Sequence, residues 1–295
     1  MLDATAFSFI LHDLAGTERL ARLLFSLAGQ SAAGRGLEVV FVQTSADDAP
    51  VRLAQRCMDV LPRRAKLILL KAPGEGLATA LNTGSRHASG QLLCFPQPGM
   101  RLDPCFAEAH LRAFRADPNK DLISCDFIHS GPQGSGLVRL PQPAKDRLRT
   151  RNSLGPLITL SRRAAHACAF RSNSPFLTWE MGIEAAQHGF DFLHLRRPLY
   201  SVPAEDWNSG GLNQELARLV ARQYAFFDPS QVHWALGVLR HRAWATAYRG
   251  PHLPTPQDVH SLMEGYVLES RLSRYGLIPE KVLPGPLPSC NALGA

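Results

Sequence analysis

The chain has 295 residues, 45% of them hydrophobic and 19% charged, which supplies a sizeable core and excludes a globally disordered chain. The net charge of +7 is carried mainly by arginine, and the basic pairs Arg63-Arg64, Arg162-Arg163 and Arg196-Arg197 are scattered, so no single tract points to nucleic acid. None of the six cysteines lies in a C-x-x-C pair or a zinc-spaced Cys/His cluster. Cys94 and Cys125 sit in apolar runs as small hydrophobes, which suits a reducing compartment.

Phe7–Leu11 reads as a buried strand. It is too short for a signal-peptide core or a membrane span, and the expectation is a cytoplasmic protein, at most peripheral to the inner membrane face. Leu20, Leu23, Leu24 and Leu27 form a helical stripe over Thr17–Leu27. Leu37–Val42 predicts a second strand, and Asp47–Leu61 a helix that Asp47 or Asp48 can cap. Lys66–Leu70 and Leu92–Phe95 predict further strands around a helix at Gly76–Ala88. Asp103–Phe114 reads as a helix opened by Asp103-Pro104, and Leu122–Phe127 as a fifth strand. Strands separated by single helices imply right-handed crossovers and an α/β fold with a mostly parallel sheet.

The rhythm then changes. Gly131–Gly136 reads as a turn between short strands, and Pro141–Ser153 is polar and basic. Leu157–Leu160 predicts a short strand, Phe176–His188 a helix, and Leu193–Leu195 with Leu199–Val202 two closing strands. Beyond Gly210-Gly211, helices are predicted at Asn213–Phe227, Val232–Tyr248 and Pro256–Tyr275, the last opened by Thr255-Pro256-Gln257-Asp258. The expected units are residues 1–209, a helical C-terminal extension over 210–278 and a Pro-rich tail over 279–295. Interleaved aromatics and arginines in the extension suit either packing on the main domain or contact with a protein partner or membrane surface. A P-loop, a strand-to-helix G-x-G-x-x-G, a G-x-S-x-G elbow and an H-E-x-x-H pair are all absent from the sequence.

Several segments, in order and spacing, resemble the family-2 glycosyltransferases, which have the GT-A fold. They are Gly16–Leu27 after the first strand; Glu38–Val42; Asp47-Asp48-Ala49-Pro50; Gly76, Ala80, Asn82, Gly84, Ala88 and Gly90; and Arg101-Leu102-Asp103-Pro104. Asp121 and Asp126 bracket the fifth strand, and Lys145-Asp146, Asn152, Arg162-Arg163, Phe170, Trp179-Glu180 and Gly189 follow. The resemblance spans residues 6–203 and implies a nucleotide-sugar donor and a glycan, protein or cell-envelope acceptor.

In that family an Asp-x-Asp motif holds a divalent metal against the leaving diphosphate, a carboxylate on a later helix takes the acceptor proton, and a further Asp holds the base. Here these positions read Gln97-Pro98-Gly99, Leu177-Thr178 and Gln43-Thr44. The resemblance therefore implies a donor site without the usual metal and without a cofactor. It leaves His12, Asp13, Gln43, Asn82, Gln97 and Arg101 as donor-side candidates, Glu180 and Asp126 as candidate catalytic carboxylates, and Lys145 and Arg149 on the phosphate or acceptor side. Glu205-Asp206-Trp207 looks like an acidic-acidic-Trp signature but follows the last strand, and reads as a loop. Two functions stay open: a sugar transferase, or a catalytically inactive relative acting as a binding or scaffolding module.

Overall fold

The structure is a computed structural model, and it describes residues 6–274 apart from 15, 32–35, 60–64, 73, 75, 133, 204–212 and 251. Its centre is one mixed sheet in the order β3-β2-β1-β4-β8-β6-β9-β5, with β7 paired to β6. The parallel half comprises β1 (Phe7–His12), β2 (Leu37–Gln43), β3 (Lys66–Lys71) and β4 (Leu92–Cys94). β1 and β2 are buried along their whole length, as central parallel strands covered on both faces must be. Two polar side chains inside them satisfy each other: Ser8 Oγ donates to Glu38 Oε2 at 2.7 Å, and Ser89 donates to the same carboxylate through its amide and its hydroxyl.

The second half is mixed. β6 (Lys120–Gly131) runs parallel to β9 (Asp191–Pro203) and turns back through a hairpin into β7 (Gly134–Val138). β8 (Thr159–Ser161) wedges antiparallel between β4 and β6, and the two-residue β5 (Arg101–Leu102) edges the sheet antiparallel to β9. The two expected closing strands are one strand. The apolar pattern breaks at Arg196-Arg197-Pro198, where register shifts around Asp126 let β9 continue.

Helices cover both faces. α1 (Thr17–Ala28), α2 (Ala49–Asp59) and α4 (Phe106–Ala116) pack on one face over a cluster that includes Leu20, Leu23, Phe41 and Phe106. α3 (Leu77–His87), α5 (Lys145–Leu148), α6 (Arg162–Ala167) and α7 (Leu177–Gln187) share the opposite cluster. Gly84 lets α3 approach β1 closely, because a Cβ there would lie 2.4 Å from Ile10 Cγ2. The short α5 and α6, of four and six residues, carry too few apolar positions to show a period in the sequence.

The C-terminal helices are α8 (Asn213–Arg222), α9 (Pro229–Leu239), α10 (Ala243–Thr246) and α11 (Pro256–Arg274). The single helix expected at Val232–Tyr248 is two. His241 adopts φ 53° between α9 and α10, a left-handed turn that a continuous helix cannot contain. The expected start of α11 forms, with Thr255 exchanging hydrogen bonds with Asp258, and α9 opens on a capping box between Asp228 and Gln231 that the sequence analysis did not anticipate. Among the described residues no helix is long and apolar enough to cross a membrane.

Candidate functional site

β1, β2 and β4 bring their carboxyl ends to one rim of the sheet. α1 and α2 cover one face there and α3 the other, so the winding reverses between β1 and β4. Open α/β sheets leave a ligand crevice at such a reversal. His12 ends β1 at this point, and Gln97 follows β4. The Leu14 amide donates to His12 Nδ1 at 3.2 Å, which leaves the proton on Nε2 to be donated to Gln97 Oε1 at 2.9 Å. Burial lowers the His12 pKa below its ordinary 6.5 against the opposing pull of Gln97 and Asp13, so the ring is neutral at pH 7. A neutral hydrogen-bonded pair therefore bridges the crevice.

Asp13 is buried beside it. The amides and hydroxyls of Thr44 and Ser45 all donate to its two oxygens, the Thr44 amide at 2.9 Å and the Ser45 amide at 3.0 Å. Burial raises its carboxyl, but these bonds together outweigh burial and hold it below the ordinary range. Gln43, at the end of β2, donates to Asp47 O at 3.1 Å and to Asp48 Oδ1 at 3.0 Å, closing the loop into α2.

The Asp-x-Asp position offers one amide oxygen already accepting from His12, then a proline, then a glycine at φ 101° whose amide donates to Arg19 O. Hard divalent cations take carboxylate oxygens, and these residues do not fit one. Among the described residues no group of three or more His, Cys, Asp or Glu side chains could hold a metal ion.

On the mixed half, Asp126 sits at the β6–β9 register shift. Its Oδ1 accepts from the Leu140 amide at 2.9 Å and from His194 Nε2 at 2.8 Å, and Ser124 Oγ lies 3.0 Å from His194 Nδ1. A buried Ser124–His194–Asp126 chain thus ties β6 to β9. At the head of α7, Thr178 stands where the resemblance places a catalytic base. Its hydroxyl donates to Gly155 O at 2.7 Å and accepts from Asn152 Nδ2 at 3.2 Å.

Glu180 points elsewhere. Its Oε1 accepts from both Nε (2.9 Å) and a terminal nitrogen of Arg222 on α8, and its Oε2 accepts from Ser172 Oγ at 2.5 Å. Asn82 exchanges two hydrogen bonds with the Phe170 backbone and fixes α3 to the segment after α6. Arg149 donates to Phe226 O at 3.1 Å and covers the Phe226 ring, so it docks the C-terminal helices. Lys145 at the head of α5 and Arg101 on β5 face solvent.

His12, Asp13, Gln43 and Gln97 are thus gathered at one rim, whereas Asp126, Glu180, Asn82 and Arg149 lie in separate settings. Thr44 and Ser45, the partners of Asp13, were legible as a polar step after an apolar strand. His194 carried no sequence signal, and Arg222, one of the interleaved arginines of the extension expected to suit a partner or membrane surface, instead pairs with Glu180 inside the fold. Glu205-Asp206-Trp207 lies outside the described residues.

The family model described as "Glycosyl transferase family 2" matches residues 17–170. TarS of S. aureus (residues 1–349, in complex with UDP-GlcNAc) superposes with a TM-score of 0.57 at 14% identity, over 82% of this chain and 73% of that one. The mannosyltransferase PcManGT from Pyrobaculum calidifontis, in complex with GDP-Man and Mn2+, gives 0.55 at 18% identity, over 92% and 82%. At these identities the likeness is one of fold. No curated protein matches the chain.

Proposed function

We propose, from the premise that this chain belongs to glycosyl transferase family 2, that it binds a nucleotide sugar at the rim of β1, β2 and β4 and transfers the sugar to a glycan or envelope acceptor without a divalent metal. The observation that carries this reading is the His12–Gln97 pair, a neutral bridge across the crevice where the family places its metal ligands. TarS and PcManGT were both solved with a nucleotide sugar bound, which supports the donor class.

A departing nucleoside diphosphate carries charge that must be compensated. In this reading the compensation comes from Lys145, which faces solvent at the head of α5. Asp126, held by His194, is the carboxylate assigned to proton transfer, and Glu180 is assigned a positioning role through Arg222. Residues 1–209 are assigned as the transferase unit and the described helices between Asn213 and Arg274 as the layer against it, and the expected Pro-rich tail over 279–295 lies outside the described residues.

One observation favours a second reading, a binding module without turnover. The hydroxyl of Thr178 and the carboxylate of Glu180 are both engaged within the fold, which leaves the head of α7 without a free base. Calorimetric titration with UDP, GDP, CDP and dTDP, each with and without manganese, tests both. Metal-independent binding of one nucleotide is expected. Binding that requires manganese overturns the metal-free reading, and no binding at all removes the donor site. Where a nucleotide binds, turnover of the matching sugar donor selects the transferase, and its absence across acceptors selects the module.

A further inference from the structure

A second opening lies on the α1 side of the sheet, across it from α7. It has a volume of about 630 Å³, within the range of small-ligand sites. Arg22 enters from α1 and Arg101 from the edge strand β5, so two guanidinium groups from separate elements meet in one space. Ser130 and Ser201 line it near the ends of β6 and β9, and Gly99, two residues after Gln97, forms part of the wall toward the donor crevice.

Among the described residues no Asp or Glu lines the cavity. Arg101 has no ion-pair partner among the described residues. Arg22 pairs with Glu18 one turn back on its own helix, both side chains being more than half exposed. Such a pair is weak in water and yields readily to a better anion. Phe25 stands at the same cavity with 70% of its surface exposed, on the face of α1 opposite the buried stripe of Leu20, Leu23, Leu24 and Leu27. Its ring therefore makes no contribution to the core.

Guanidinium forks select carboxylate and phosphate oxygens, and an exposed aromatic face suits the apolar side of a sugar ring. We propose that this cavity binds an anionic sugar of the acceptor, its carboxylate or phosphate between Arg22 and Arg101 and its ring against Phe25. The identification of the ligand as acceptor rests on the donor reading of the neighbouring crevice; the anion site itself does not. Recognition here would restrict the acceptor to acidic glycans, a specificity that the His12–Gln97 rim by itself does not provide.

The test is calorimetric titration of the full chain with trigalacturonic acid (the carboxylate source), glucose 6-phosphate (the phosphate source) and maltotriose (the neutral control), with UDP and GDP titrated both alone and into the probe-saturated protein. One anionic probe is expected to bind, and maltotriose not to. Its affinity should fall by about tenfold in the Arg22→Gln/Arg101→Gln double variant and on raising salt from about 50 to 300 mM, as expected for a charge-driven contact near the surface. Phe25→Ala should weaken it by about threefold. All three side chains are largely exposed, and thermal unfolding of each variant confirms an intact fold.

The proposal is overturned if neither anionic probe binds, if wild type and double variant bind alike, or if maltotriose binds equally well. It is also overturned if UDP or GDP displaces the anionic probe, since the cavity would then belong to the donor diphosphate. Arginine-dependent probe binding with no nucleotide binding leaves the anion site standing and removes the donor reading. Nucleotide binding with no probe binding does the reverse.

Discussion

Replacing Glu180 by Gln separates two roles for that residue. In the structure its carboxylate side chain is 7% exposed and its partner Arg222 is 35% exposed, with Ser172 on the second oxygen. Removing one partner from a fully buried ion pair costs about 3–5 kcal/mol, because the other charge is left unpaired. Arg222 keeps a third of its surface in water and can rehydrate, so Glu180→Gln should cost less, about 2 kcal/mol. Arg222→Gln strands the more deeply buried carboxylate and should cost about 3 kcal/mol. The double variant removes both charges together, so its loss should fall short of the sum of the single losses by about 1.5 kcal/mol or more. Urea unfolding of the four proteins closes the cycle, with the slope checked for constancy. A coupling below about 0.5 kcal/mol would refute the ion pair. If Glu180→Gln abolished donor turnover at unchanged stability, the carboxylate would be a base and the positioning role would fall.

Three further outcomes are expected. Burial, opposed by the bond to Phe106 O, lowers the His110 pKa from 6.5 to about 4, so its contribution to stability is whole above pH 6.5 and is lost as pH falls toward 4. Between pH 7 and pH 4.5, His110→Leu should therefore flatten the acid loss in urea midpoints by about 2–3 kcal/mol, and an unchanged acid limb would show that the ring is not buried neutral. Restoring an acidic motif with Gln97→Asp and Gly99→Asp should destabilise the fold by about 2 kcal/mol or more, because residue 99 sits at φ 101° with Arg19 Nε 2.9 Å from the position of a Cβ, and calorimetry should detect no tight manganese site. Gly84→Ala should cost about 1–3 kcal/mol in urea by pressing on Ile10, and a neutral result would mean that α3 and β1 are farther apart than described.

The parallel half was legible in sequence because its signals are local. Continuous apolar runs marked β1, β2 and β4, and the Leu20–Leu27 stripe marked α1 with its buried face. The mixed half was harder. β5 has two residues and β8 three, lengths at which no period can be read, and both are held by pairing partners distant in the chain. At the rim, His12 and Asp13 could be placed from the end of an apolar run. That His12 bonds Gln97 across 85 residues, or that Glu180 turns toward Arg222 42 residues away, depends on tertiary approach and left no trace in spacing.

The packing of the C-terminal helices sets a limit on how this chain can be divided. Trp234, Phe226, Phe227 and Val220 belong to the same apolar cluster as Leu148 of α5 and Trp179 of α7. Gln231 Nε2 donates to Arg149 O at 2.9 Å, and Arg149 Nε to Phe226 O at 3.1 Å, so the seam is closed by polar bonds as well. A cut after residue 209 would therefore lay bare the apolar backs of α5 and α7, and the excised sheet portion should aggregate where the full chain does not. A chimera that exchanges these helices for another protein's would have to reshape the inner surfaces of α5 and α7 at the same time. The seam between sheet and helical layer is a boundary in the linear sequence only; in three dimensions the two are a single grain.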